Sequence, residues 1–419
     1  MPDLRDIIAR NRAGEAIAIP SVCTAHPDAL EASLTLAETL DQPILVEATS
    51  NQVNQDGGYT GLRPADFIQF VRDIAEKSHV THERILFGGD HLGPQAWRKL
   101  PADEAMQKAH RMIADYAAAG FTKIHLDCSE GCAGEPAQLP DEITATRSAA
   151  LAATALKHAS DPGQLLFVIG TEVPPPGGAR TDDHGDIPPT TPEAAKATLA
   201  AHRDAFTAAQ IPLDLIGGLV VQPGVEFSPM EVHHLPLQRD PHLLDALIDW
   251  PNLCLEAHST DYQHPKAYPR LAQLGFAFQK VGPALTFAWR EALYALDTIR
   301  AQNGWVTGPS LPDTMEAVML ANPAHWQAHI HGSDQRLQRH FGLADRIRYY
   351  WPQPDAHDAV QRLIADLADK RLPDPLLSAH FAASEIAIAR ESRHPLPRAL
   401  ALARVQTALR PYFFTGPRP

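Results

Sequence analysis

Short apolar runs that end in a polar cluster, each followed by a stretch with helical spacing, recur eight times along the first 300 positions. The runs are Ala16 to Val22, Ile44 to Ala48, Arg84 to Gly88, Lys123 to Leu126, Leu165 to Thr171, Leu215 to Val221, Asn252 to Ala257 and Phe276 to Val281. Intervening stretches such as Pro27 to Leu34 and Thr191 to Lys196 open on proline and polar residues that suit a helix start. Eight strand–helix alternations predict an α/β protein, a closed parallel (β/α)8 TIM barrel. The rival, an open doubly wound sheet, lacks its Gly-x-Gly-x-x-Gly turn after the first strand. Beyond Val281 the pattern becomes helical, over Ala288 to Ile299, Pro312 to Leu320 and Ala356 to Ala368, with breaks around Pro352, Pro354, Pro373 and Pro375. The expected organisation is a barrel over 1–300 and a mostly helical C-terminal extension over 301–419, packed on the barrel.

Composition narrows the partners. The chain has 419 residues, enough for a barrel of about 250 plus an appendage. Its 44% hydrophobic and 21% charged residues are those of a globular protein. A net charge of -14 argues against a nucleic-acid-binding face or an anionic membrane surface, while leaving room for a local basic pocket. No apolar stretch approaches a membrane span and the N-terminus carries no signal-like segment, which predicts a soluble, cytoplasmic protein. Four scattered cysteines, Cys23, Cys128, Cys132 and Cys254, predict reduced and mostly buried thiols.

In such barrels the active site is built at the C-terminal ends of the strands. Here those ends carry Cys23 and His26; Glu47, Ser50 and Asn51; Asp90 and His91; Asp127 and Ser129; Glu172; Gln222 and Glu226; His258 and Asp261; and Lys280. In Gly88-Gly89-Asp90-His91 the glycines permit close backbone approach, and the pair offers an acid/base carboxylate and an imidazole ligand; a turn with a capping Asp reads the same way. His258 alone reads as a core histidine. Facing His91 across one mouth, it reads as the second imidazole of a divalent metal site, with Glu172 as the best oxygen ligand and Gln222 and Asp127 behind it. Asp127 and Ser129, two apart on a strand, share a direction, and Asp127 is either a working carboxylate or an orienter of its neighbour. Glu172 precedes Pro174 to Arg180, which reads as a lid or as an ordinary long loop. Lys280, Gly282 and Thr286 end the eighth strand and enter a helix, where barrels bind phosphate. Lys280 also suits a Schiff base, but its metal-competent neighbours favour phosphate or substrate contact. Arg346 and Arg348 have the reach to hold a distal phosphate, or serve as ion pairs fixing the extension.

Several motifs carry a resemblance to a known family over essentially the whole chain. They are Glu47 to Val53, Gly57-Gly58-Tyr59-Thr60-Gly61, Gly89 to Pro94, Ile124 to Ser129, Val220 to Phe227, Glu256 to Gln263, Lys280 to Thr286 and Asp345 to Trp351. With these the chain resembles the GatZ/KbaZ family, described as the non-catalytic subunit of tagatose-1,6-bisphosphate aldolase, with members that are tagatose 6-phosphate 4-epimerases. That family is in turn similar to class II aldolases, whose Asp-His pair after strand three is matched by Asp90 and His91 and whose strand-seven ligand is matched by His258. Where the aldolases place a further histidine, on strand six, this chain has Gln222, a departure that counts against ordinary aldolase activity.

The resemblance implies two functions. One is epimerisation of D-tagatose 6-phosphate to D-fructose 6-phosphate in galactitol catabolism. The C4 hydrogen is not acidic and no dinucleotide fingerprint is present, so the route would be retro-aldol cleavage and re-addition, with Asp90, Glu172 and Asp127 as catalytic groups. His91, His258 and Glu172 would hold a divalent ion, zinc first and manganese among the alternatives. Glu47, Ser50, Asn51, Ser129, Gln222, Glu226, Asp261, Lys280, Gly282, Thr286, Arg346 and Arg348 would contact the phosphorylated ketohexose. The other function is a stabilising subunit for a class II aldolase catalytic subunit. A homo-oligomer is expected in either case.

Overall fold

The computed structural model describes residues 3–170 and 187–414; Glu172 and Pro174 to Arg180 lie outside the described residues. Eight parallel strands close into a barrel: β1 (Ile19–Cys23), β2 (Ile44–Thr49), β3 (Ile85–Leu92), β4 (Lys123–Leu126), β5 (Leu166–Ile169), β6 (Ile216–Val220), β9 (Cys254–Ala257) and β10 (Phe276–Val281). Closure is made by β1, in which Val22 pairs with Val46 of β2 on one side and Val281 of β10 on the other. The (β/α)8 expectation is met. Helices follow the strands from the positions the sequence marks: His26 and Thr191 cap helices Pro27–Thr39 and Pro192–Ala208, each with proline in its first turn.

Two features were not foreseen. A small antiparallel hairpin, β7 (Glu226–Phe227) with β8 (Val232–His233), is inserted after β6. Strand β3 also runs four residues past the expected end at Gly88, because β2 continues to pair with it as far as Thr49 opposite Asp90. Its register with β4 then slips by one residue between Gly89 and Leu92. The extra residue places His91 in the left-handed region, φ 48°. Such a bulge re-aims side chains at the end of a strand, and a non-glycine residue held there is strained unless its surroundings fix it.

The barrel interior is layered. At the N-terminal end, Ile19, Leu45, Leu166, Val168, Val220, Cys254 and Phe278 form a dry plug closed from below by Leu4, Ile7 and Ile8 of helix Leu4–Arg12. Each such side chain contributes about 1.5–3 kcal/mol by burial. One turn of the pleat higher, the inward positions are charged.

After helix Pro283–Gln302 the chain is helical, with Leu311–Ala321, Gln335–Phe341, Pro354–Ala368, Asp374–His380, Ala383–Glu391 and Leu396–Leu409. Helix Leu396–Leu409 packs on Pro283–Gln302 and Pro27–Thr39, where Arg398 pairs with Asp28 at 2.8 Å and Glu31 at 2.6 Å. All four cysteines are free thiols, three of them buried. Among the described residues no helix is long and apolar enough to cross a membrane.

Candidate active site

The charged layer follows from register. Glu47, Gly88 and Lys123 are neighbours across β2, β3 and β4, and a side chain at Gly88 would strike the Glu47 carboxylate at 2.7 Å. With glycine there, the Lys123 ammonium passes to Glu47 at 2.6 Å and, across the barrel, to Glu256 at 2.6 Å, all three fully buried. Above it, Lys280 contacts Glu47, Asp90 at 2.8 Å and Glu256 at 3.3 Å. Burial pushes both lysines toward the neutral amine, but the surrounding carboxylates win and raise them. Burial likewise opposes ionisation of Asp90 and Glu256, yet both are held well below the usual carboxylate range. For Asp90 the charges of His91 and Lys280 prevail, and for Glu256 those of Lys123 and Lys280. Lys280 is therefore an ammonium, not the free amine a Schiff base requires.

At the top of this layer three imidazoles surround one point. The ring centroids of His91, His125 and His258 lie 5.1, 5.0 and 5.2 Å apart. His91 Nδ1 bonds Asp127 Oδ2 at 2.8 Å, and Ser129 Oγ donates to the other oxygen of Asp127 at 2.7 Å. Desolvation works against charging His91, but Asp90 and Asp127 raise its pKa. His258 sits 2.9 Å from Glu256, and burial, reinforced by Lys280, lowers it to about 3, so it is neutral. His125 Nδ1 meets Asp90 Oδ1 at 2.9 Å, while its Nε2 is buried without a hydrogen-bond partner. An orphan imidazole nitrogen suits a metal, and Asp90, His125, Glu256 and His258 each have a donor atom within 4.8 Å of the others'. The donor set fits a divalent cation. The thiol of Cys23, 3.3 Å from Asp90, is pushed well above its ordinary value by burial and is no thiolate.

A cavity of about 530 Å³ opens above these groups. Of the residues expected to form the site, Asn51, Asp90, His91, His258, Asp261, Lys280, Gly282, Thr286 and Arg348 line it. Glu47, Ser50, Asp127 and Ser129 are buried behind that lining. A further three, Gln222, Glu226 and Arg346, also stay out of the lining and are engaged elsewhere. The Gln222 side chain accepts from the amides of Gly224 and Val225, closing a turn; Glu226 accepts from the Phe227 amide in the hairpin; and Arg346 donates to the His325 carbonyl at 2.6 Å. The carboxylate of Asp261 accepts from the amides of Gly282 and Ala284, and burial raises it to about 6.

Sequence reasoning missed Lys123, His125 and Glu256. The alternation that gave Asp127 and Ser129 a common direction extends back to Lys123 and His125 on the same strand, and His258 implies Glu256 in the same way. Among the described residues, the four-donor group takes its two imidazoles from His125 of β4 and His258 after β9, with His91 packed beside both.

Fold and mouth together define a (β/α)8-barrel protein with a polar, enzyme-like site at its strand ends. More narrowly, the chain belongs to the D-tagatose-1,6-bisphosphate aldolase subunit GatZ/KbaZ-like family, whose model matches residues 4–416. It is similar to a crystal structure from Sinorhizobium meliloti 1021 described as a probable tagatose 6 phosphate kinase, at 46% identity and TM-score 0.86, over 94% of this chain and 99% of that one. A fructose-bisphosphate aldolase from Campylobacter jejuni matches at 15% identity and TM-score 0.45, over 87% of this chain and 93% of that one; likeness at that level says nothing of chemistry.

Proposed function

We propose that this chain inverts C4 of a ketohexose 6-phosphate, interconverting D-tagatose 6-phosphate and D-fructose 6-phosphate by retro-aldol cleavage. The observation that carries this reading is Asp90: an ionised carboxylate on the cavity wall, fixed by His125 and Lys280, beside His91 and His258. Asp90 takes the proton of the C4 hydroxyl, the C3–C4 bond breaks, and its electron pair passes to C3 to give an enediolate and an aldehyde at C4. The aldehyde turns its other face, C3 re-adds, and the proton returns from Asp90 to the new C4 oxygen. Atoms and electrons balance with no redox partner. His125, Glu256 and His258 would hold a divalent cation, leaving Asp90 free for the proton and His91 beside them; when bound it supplies polarisation of the C2 carbonyl. Lys280 and His91 add positive charge where the enediolate forms, and Asp127 fixes the His91 ring.

A second reading is a stabilising subunit for a separate class II aldolase, favoured by the family's description as an aldolase subunit. One assay separates them. The purified chain, supplied with divalent metal and tagatose 6-phosphate, is expected to yield fructose 6-phosphate. No conversion by folded protein to which metal is bound would sink the epimerase and leave the subunit.

A further inference from the structure

We infer that the phosphate of the ligand is held by the C-terminal extension, at Arg348 with the phenols of Tyr59 and Tyr349, and not at the helix N-terminus that follows β10. The inference rests on the sugar-phosphate reading above, and it deepens that reading by assigning the anionic end of the substrate.

The helix N-terminus is already filled. Asp261 Oδ1 accepts from Gly282 N at 3.0 Å and Ala284 N at 2.9 Å, Pro283 has no N–H, and the Leu285 amide donates to the Gly282 carbonyl. Every amide that would cradle a phosphate there is in use, and a carboxylate stands where the anion would sit.

Arg348 presents the opposite situation. It lines the cavity, yet its guanidinium donates to the carbonyls of Ala344 and Asp345 and to the Tyr349 hydroxyl at 2.8 Å, all neutral acceptors. Among the described residues no carboxylate lies within ion-pair distance of it. The nearby Asp345 is engaged by Thr286 at 2.6 Å and Arg290 at 3.6 Å. Among the described residues Arg346 hydrogen-bonds a carbonyl and no carboxylate, and the Arg346 and Arg348 guanidinium groups lie 4.9 and 4.4 Å from the Tyr349 ring centroid. Burial opposes ionisation of Tyr349, but the charges of Arg348 and Arg346 lower its pKa. Half-buried at the cavity wall and hydrogen-bonded only to neutral acceptors, Arg348 keeps its charge, and a phosphate monoester entering the cavity would meet it with charge-assisted hydrogen bonds.

The glycine-rich segment Gly57-Gly58-Tyr59-Thr60-Gly61 acquires a purpose here. Gly58 has φ 55° and leaves no room for a side chain, which would meet the Gln52 carbonyl oxygen at 2.3 Å. The tight turn sets Tyr59 edge-on against Tyr349, ring centroids 4.9 Å apart, within hydrogen-bond reach of Arg348.

The test is calorimetric binding of fructose 6-phosphate, fructose and inorganic phosphate to the full chain, which needs no turnover and so stands apart from the fate of the epimerase. Arg348→Gln is expected to weaken fructose 6-phosphate and phosphate by about 10- to 150-fold while leaving fructose unchanged. Arg348→Lys, which keeps the charge and most of the packing, should fall between; Tyr59→Phe should lose about 3- to 10-fold. Asp261→Asn should retain the preference for the phosphorylated sugar. The inference is overturned if both Arg348 variants bind fructose 6-phosphate like the parent, or if Asp261→Asn alone abolishes the preference.

Discussion

The two halves of the barrel interior are lined by the same strands under the same alternation, yet they are opposites. Toward the N-terminal end, Leu45, Val220, Cys254 and Phe278 pack a dry plug. Two residues further along the same strands, Glu47, Glu256 and Lys280 build a buried charge network. The plug stabilises by burial. The network costs desolvation that only its internal pairing offsets, so its presence argues for use rather than stability. At the mouth, His91 and Ser259 adopt positive φ, and both line the cavity.

The comparison can be broken most severely at Asp90. Asp90→Asn is expected to lower epimerisation by about 10²- to 10⁴-fold with unfolding unchanged within about 2 kcal/mol, measured as fructose 6-phosphate formation and by denaturant titration. Next, Lys123→Met leaves the buried Glu47 and Glu256 to share Lys280 alone and should cost about 3–5 kcal/mol of folding stability, read from the urea midpoint. A midpoint within experimental error of the parent would show the network is not held as described. In the plug, Leu45→Ala should lose about 2–5 kcal/mol while metal and sugar-phosphate affinity stay constant, which sharpens the division between the halves.

A smaller effect is set by pH. Asp261 is raised from its ordinary 3.8 to about 6 in the folded protein, so between those values the native state holds a proton that the unfolded chain has lost. Its contribution is present below about 4 and is lost as pH rises through 6, about 3 kcal/mol in all. Asp261→Asn should flatten the fall in unfolding free energy across that window; an unchanged slope refutes the assignment. The smallest expected change is a gain. Lys280 lies against Asp90 and Glu256, two of the four candidate donors, so Lys280→Met should tighten zinc or manganese binding about 10-fold by titration calorimetry.

Much of the fold was legible because it rests on local signals. The eight apolar runs, the prolines at helix starts and the helical spacing after Val281 each reflect backbone and burial preferences expressed within a few residues. The extra length of β3 was not legible. Asp90, His91 and Leu92 look like a turn after two glycines, and only pairing with Thr49 and Leu126 draws them into the sheet. At the candidate site, Asp90, His91 and His258 stood out in the sequence because each is a polar residue after an apolar run, whereas Lys123, His125 and Glu256 sit inside the strands and read as part of them.

By itself, then, the sequence determined the alternation of strands and helices, the polar strand ends and the helical character of the extension, all of which follow from short-range periodicity. Tertiary structure alone decided which groups face one another. Register across β2, β3 and β4 joined Lys123 to Glu47 through the gap at Gly88, closure of the barrel brought His125 opposite His258, and folding of the extension put Arg348 over the cavity. Those contacts join residues tens to hundreds of positions apart, and no local pattern encodes a distance between them.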